Sequence, residues 1–180
     1  MSEDLTKKIF DFYQSFDCGW ELFPYNINTI SRIVEHNPKS VLEFGCNNGK
    51  NLEMLRNYDQ EMDLHGIDLS VKAVQKARAK GFNVNIGNEK ALNNIADKFV
   101  DVSFTISVLD HVPGNIDELI VNLKRISRKA IFCTETNDIK GEFYFAHDYK
   151  AYGFKPRELI QNPGWPKGNG ALYCIWEFNH

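Results

Sequence analysis

Between residues 40 and 135, short apolar runs alternate with stretches of helical periodicity, and this alternation leaves few architectures open. "SVLEF" precedes the helical "GKNLEMLRNY". "LHGIDL" precedes a helix that Ser70 caps and that runs to Lys80, with Gly81 as its stop. "FNVNI", "FVDVSFTIS" and "KAIFCTE" read as three more strands, the last two separated by a helix over Ile116 to Ile126. Repeats of this kind form right-handed crossovers, hence a doubly wound, mostly parallel α/β sheet with helices on both faces. The pattern then changes. "RELIQ" and "ALYCIWEF" flank the Gly- and Pro-rich "NPGWPKGNG", which predicts a C-terminal antiparallel hairpin closing the sheet.

Upstream, Leu5, Ile9, Phe12 and Phe16 predict an amphipathic helix over residues 4 to 16. Ile27, Ile30, Ile33 and Val34 predict a second, ending near Asn37-Pro38. A chain of 180 residues suits one domain, with residues 1–37 as helices covering the site and 38–180 as the core. The net charge of -3 disfavours a broad phosphate-binding surface, so nucleic acid is not the expected partner. Cys18, Cys46, Cys133 and Cys174 form no CxxC pair, so no metal site is expected, and a reducing compartment is. "MSEDLTKK" has no apolar core and no long apolar run follows, so a soluble, cytoplasmic chain with no membrane contact is expected.

In open α/β sheets, ligands sit beyond the carboxyl ends of the strands, near the topological switch point. "EFGCNNG" lies at such an end, where Gly45 and Gly49 admit a ligand close to the backbone and the next helix presents unpaired N–H groups. A dinucleotide would need G-x-G-x-x-G, yet the three glycine positions hold Gly45, Asn47 and Lys50, and Glu43 repels a pyrophosphate. S-adenosylmethionine carries no phosphate. An acid ending the first strand can engage its amino-acid end, while backbone N–H groups meet its carboxylate.

"LEFGCNNG" resembles the first motif of class I S-adenosylmethionine-dependent methyltransferases, [DE]-x-G-x-G-x-G. Glu43, Gly45 and Gly49 match it, with Cys46 inside it, and Asn47 departs at the middle glycine. "HGIDLS" is similar to the second motif, and the resemblance implies that Asp68, followed by Leu69, accepts both ribose hydroxyls. Asp68 also reads as a helix-start residue beside Ser70. "NVNIGNEKAL" resembles the third motif with Asn88, followed by Glu89, in place of an aspartate that meets the adenine amino group. "FVDVSFTISVLDHV" resembles the fourth-motif strand, with Ser107, Val108 and Leu109 under the cofactor and Asp101 structural. The resemblance covers about residues 38–135. It implies a Rossmann-like seven-stranded sheet and an S-adenosylmethionine-dependent methyltransferase.

Methyl transfer from a sulfonium needs alignment and exclusion of water, and a base only for a weakly acidic O–H or a protonated amine. His147, after the fifth strand, is the favoured candidate base, expected to face the transferred methyl from a loop over 141–149 that borders the acceptor. His111, after the fourth, is the second, and each also reads as a packing or capping residue. "HDY" before an expected short helix resembles a stretch in small glycan- or metabolite-pathway methyltransferases. Trp20, Tyr25, Tyr144, Asp148 and Tyr149 are the candidate acceptor contacts, with Phe23, Phe143 and Phe145 as further ring walls. The absence of [DN]-PP-[YF] at 107–110 speaks against the methylation of base amines. The expected activity is O- or N-methylation of a small molecule such as a sugar, by a monomer or homodimer. The alternatives are a nucleic-acid methyltransferase and a non-catalytic cofactor-binding partner protein.

Overall fold

The computed structural model describes residues 23–136, 144–162 and 171–180. The expected helix over residues 4–16, Trp20, Phe143 and most of the Gly- and Pro-rich connection lie outside them.

Helix α1 spans Pro24–Glu35. Proline suits its first position because the ring presets φ and the missing N–H has no partner there anyway. The alternating units follow as β1 (Ser40–Phe44), α2 (Lys50–Tyr58), β2 (Asp63–Asp68), α3 (Val71–Ala79) and β3 (Asn83–Ile86). A 3₁₀ turn over Glu89–Asn94 leads to β4 (Val100–Ile106), and a second over Leu109–His111 leads to α4 (Asp117–Ile126). Then come β5 (Ser127–Thr136), β6 (Lys155–Asn162) and β7 (Ala171–Asn179). All seven expected strands form, with ends displaced by a residue or two.

The sheet order is β3-β2-β1-β4-β5-β7-β6. The strands from β3 to β5 pair in parallel, and β7 runs antiparallel to both of its neighbours. The order reverses between β1 and β4, which puts a crevice at their carboxyl ends.

Side chains alternate across β1, so Val41 and Leu42 enter different cores. Val41 packs with Ile30 and Ile33 of α1, Leu52 and Leu55 of α2, and Val74 and Ala77 of α3. Leu42 packs with Leu119, Ile120, Leu123 and Ile126 of α4. Each such fully buried aliphatic side chain contributes about 1.5–3 kcal/mol. Ser70 Oγ accepts the Ala73 N–H at 3.2 Å and so caps α3, and Gly81 follows at φ +84°. Asp101 is structural, at the amino edge of β4. It accepts from the Lys39 N–H at 2.7 Å and Arg128 Nε at 2.8 Å, and Lys129 Nζ lies 3.2 Å away.

One expectation is corrected. Residues 149–153 form turns, not the short helix expected after His147. Gly153 adopts φ +82°, the Phe154 N–H donates back to Tyr149 O at 3.1 Å, and β6 begins at Lys155, so the chain makes one turn and stops. Among the described residues no helix is long and apolar enough to cross a membrane.

Candidate active site

Four strand-end loops converge at the switch point. The Gly45 N–H donates to Ile67 O at 2.7 Å, which ties the loop after β1 to β2. The Gly87 N–H donates to Asp68 O at 3.0 Å, which ties the loop after β3 to the same strand. The loop after β4 arrives through Val108, whose Cγ2 would lie 2.2 Å from a Cβ on Gly45. Gly45 stands at φ +81°, so both space and backbone conformation demand glycine.

Asn47, where the family pattern has glycine, still takes the left-handed conformation at φ +47°. Its Oδ1 accepts the Asn48 N–H at 2.7 Å, a local bond of the kind that makes asparagine tolerable there. Gly49 opens α2 at φ +77°, with its N–H donated to Cys46 O at 2.9 Å.

Two carboxyl groups lie under this turn. Asp68 Oδ2 accepts the Asn47 N–H at 2.7 Å and Oδ1 accepts the Ser70 N–H at 2.8 Å. It therefore marks the helix start and also tethers the glycine turn. Burial raises its pKa, against the pull of backbone N–H groups from Ser70, Asn47 and Leu69. Glu43 is 1% exposed. Its Oε1 accepts from Asn51 Nδ2 at 2.6 Å, whereas Oε2 is buried without a hydrogen bond. Burial pushes the Glu43 pKa up to about 8. Cys46 is buried beside them with its thiol pKa raised by the same desolvation, so it serves as packing. Asn88 Oδ1 accepts the Lys90 N–H at 3.2 Å and caps the 3₁₀ turn that Glu89 opens.

The other side of the crevice is built by β4, β5, α1 and β7. Ser107 ends β4 at φ +52°, and its Oγ donates to the Tyr173 hydroxyl at 3.4 Å. Tyr173 stacks on Tyr25 of α1, ring centroids 4.0 Å apart and 15° from parallel. Burial pushes the Tyr25 phenol up to about 12 and raises Tyr173 too, so both hydroxyls stay neutral. Behind them, Glu135 Oε1 accepts from Thr105 Oγ1 at 2.8 Å, and Oε2 accepts the Val108 N–H at 2.9 Å. Asp110 is 1% exposed, and neither of its carboxyl oxygens has a close hydrogen bond. Burial, and for Glu135 also the neighbouring charge of Asp110, raises the pKa of both acids.

The two histidines share this loop. His147 Nε2 donates to Leu109 O at 2.9 Å and Val112 O at 3.2 Å, so it clamps the loop that carries His111. His111 Nε2 lies 3.6 Å from Asp110 Oδ1, and its ring lies 4.6 Å from that of Tyr144. Asp148 and Tyr149 do not join the site. Asp148 is exposed and caps the following turn through the Lys150 N–H, while Tyr149 is buried against Trp176 at 5.4 Å. A ring flanked by a turn is drawn into the core, where it buries more apolar area than at a crevice mouth.

Asn51, Asp110, Glu135 and Tyr173 lie in the candidate site and were not singled out from the sequence. For Glu135 a signal existed, since an acid closes the otherwise uncharged run "AIFCTE" at a strand end. For Tyr173 there was none, because its approach to Ser107 depends on the register Thr136↔Tyr173 between β5 and β7.

The family model for "Methionine biosynthesis protein MetW" matches residues 25–137. Among solved structures, TehB from Haemophilus influenzae is 15% identical with a TM-score of 0.67, over 83% of this chain and 60% of that one. A SAM-dependent methyltransferase from Archaeoglobus fulgidus is 14% identical with a TM-score of 0.62, over 85% and 94%. The Burkholderia thailandensis 1,6-didemethyltoxoflavin-N1-methyltransferase, with its acceptor and S-adenosylhomocysteine bound, is 13% identical with a TM-score of 0.65, over 87% and 79%. At these identities the likeness shows a shared fold, that of the S-adenosylmethionine-dependent methyltransferases.

Proposed function

This chain belongs to the MetW family, and from that premise we propose that it is an S-adenosylmethionine-dependent methyltransferase acting on a small molecule by O- or N-methylation. The observation that carries the reading is Glu43 Oε2, a buried carboxyl oxygen without a partner at the carboxyl end of the central strand. Such an atom is costly unless a donor reaches it. The ammonium of a methionine-derived ligand is a donor of the right charge, and the family's description places its members in methionine biosynthesis.

The rest of the donor set fits. Asp68 Oδ2 accepts the Asn47 N–H and Oδ1 the Ser70 N–H, and the carboxylate has further lone pairs for ribose hydroxyls. Asn88 presents an amide beside the end of β3, where an adenine amino group needs an acceptor. Ser107 and Val108 are partly exposed and would supply the floor, with Leu109 buried beneath them. The bound group would supply an electrophilic methyl on a sulfonium.

On the acceptor side, His111 is the better-placed proton acceptor. His147 Nε2 already donates to two carbonyls and fixes the loop on which His111 stands. Asp110 Oδ1 lies 3.6 Å from its Nε2. Tyr25 and Tyr173 offer neutral hydroxyls that can orient a hydroxyl- or amine-bearing acceptor. The acidic net charge does not favour a nucleic-acid acceptor.

The test is calorimetry of the full chain with S-adenosylmethionine, S-adenosylhomocysteine and NAD, followed by a metabolite-extract screen with a labelled methyl donor. Binding of the first two and label transfer to a small molecule are expected. Equal or tighter binding of NAD, or label found only in RNA, overturns the reading.

A further inference from the structure

Three side-chain bonds run in one direction from helix α1 to the central strand. The Phe23 N–H donates to Asn26 Oδ1 at 3.0 Å, Asn26 Nδ2 donates to Asn51 Oδ1 at 3.1 Å, and Asn51 Nδ2 donates to Glu43 Oε1 at 2.6 Å. Both ends of the Asn51 amide are therefore used, one on α1 and one on Glu43. The chain joins the N-terminus of α1, the first turn of α2 and the end of β1.

This geometry has a consequence for ligand binding. With Oε1 engaged by Asn51, Oε2 is the Glu43 oxygen that has no partner. Of the titratable groups near it on the strand-end loops, Asp68 raises the cost of a charge there, and Cys46 is buried with its own thiol pKa raised. From α1 it receives no charged group, only the amide of Asn26 acting through Asn51. An ammonium arriving at Oε2 favours the carboxylate, and a carboxylate draws a donor more strongly than a neutral acid does. The Asn51 and Asn26 bonds then tighten with it, and α1 is held more firmly against α2.

We propose that Asn51 and Asn26 are positioning residues that couple the docking of helix α1 to the binding of a ligand ammonium at Glu43. The inference rests on the cofactor reading above and adds a partner to it. Tyr25, one residue before Asn26, carries the ring that stacks on Tyr173 in the acceptor crevice. The coupling thus joins occupancy of the cofactor side to order on the acceptor side. By linkage it is reciprocal, so whatever steadies α1 also tightens the ligand.

The test uses the full chain and two readouts that need no turnover. The first is calorimetry with S-adenosylhomocysteine in buffers of different ionisation enthalpy, which gives affinity and protons released. The second is amide hydrogen exchange over residues 24–35, with and without ligand. The wild-type chain should release a proton near pH 7 and gain protection in α1. Asn51→Leu should weaken binding about tenfold or more, as expected for one bond to a charged group, and move the pH midpoint of affinity upward by about one unit. Asn26→Ala leaves the Glu43–Asn51 bond in place, so it should keep the proton release and lose the gain in α1 protection. Wild-type affinity in Asn51→Leu, or full α1 protection in a ligand-bound Asn26→Ala, overturns the coupling. Should Asn51→Leu fail to fold, Asn26→Ala decides alone. A wild-type chain that binds neither S-adenosylmethionine nor its homocysteine product overturns the functional reading itself.

Discussion

Val108 occupies the space that a side chain on Gly45 would need: a Cβ on that glycine would meet Val108 Cγ2 at 2.2 Å. The loops after β1 and β4 are interlocked through this one contact. Gly45→Ala should therefore cost about 2 kcal/mol or more, part for the left-handed backbone and part for the overlap. Adding Val108→Ala should recover the overlap part and leave the backbone part. Urea unfolding of the two single variants and the double variant reads both, and additive losses would mean that the loops do not touch.

Asp68 tethers the glycine turn in the structure, and the proposed function gives it a second duty as an acceptor for a ligand. Asp68→Ala should lower affinity for S-adenosylmethionine at least tenfold, since two charge-assisted bonds worth roughly 1.5–3 kcal/mol each are at stake. It should also lower stability by about 1–3 kcal/mol, because the N–H groups of Asn47 and Ser70 lose their acceptor. Titration calorimetry and thermal unfolding separate the two. Unchanged affinity with lowered stability would leave Asp68 as a structural residue alone.

The two histidines should fail in different ways. His111→Ala is expected to lower turnover by roughly 10²-fold, the scale of general-base catalysis, with little change in melting temperature. His147→Ala should lower both, because the carbonyls of Leu109 and Val112 lose their donor. His147→Gln, which keeps an N–H donor, should recover much of each. A His147→Gln enzyme that folds normally yet has no turnover would move the proton transfer to His147.

Stability should respond to pH with two opposite signs. Glu43 titrates near pH 4.5 when unfolded and, because of burial, near about 8 when folded. Across that window the folded chain holds a proton that the unfolded chain has released, so stability falls as pH rises, and Glu43→Gln should flatten the fall. Asp101 behaves in the reverse way. Burial would raise its pKa, but the Lys39 N–H, Arg128 and Lys129 outweigh that and leave it depressed. Its contribution is present above its ordinary value of 3.8 and is lost as pH falls through the folded value. Asp101→Asn should thus cost stability at pH 6 and little at pH 2. Denaturant midpoints across pH 2–9 check both, and a Glu43→Gln chain with the wild-type slope would remove Glu43 as the cause.

The order of strands and helices was legible because alternation of apolar runs survives averaging over many residues. Glu43, Gly45, Gly49 and Asp68 were legible for a different reason: a strand, an acid, a side-chain-free turn and a helix start fall within a few positions. The side of the crevice built by β4, β5, α1 and β7 was not. Ser107 meets Tyr173 across 66 positions, and Asn26 meets Asn51 across 25, by registers that no local pattern encodes. Tyr149 misled because an aromatic beside a histidine looks the same in sequence whether its ring faces a crevice or the core. The short helix after His147 misled because five residues ending in glycine can close a turn as readily as start a helix.

The turn that opens α2 contains the pair Asn48-Gly49, and such pairs are where proteins age chemically. Deamidation begins when the glycine nitrogen attacks the preceding side-chain amide and closes a five-membered imide. Here that nitrogen is engaged, its N–H donated to Cys46 O at 2.9 Å, and the peptide is fixed at the left-handed start of a helix. The folded turn thus shields its own weakest covalent link. Deamidation at this pair is then set by how often the turn opens, and a ligand that steadies it should lengthen the interval before isoaspartate appears at Asn48.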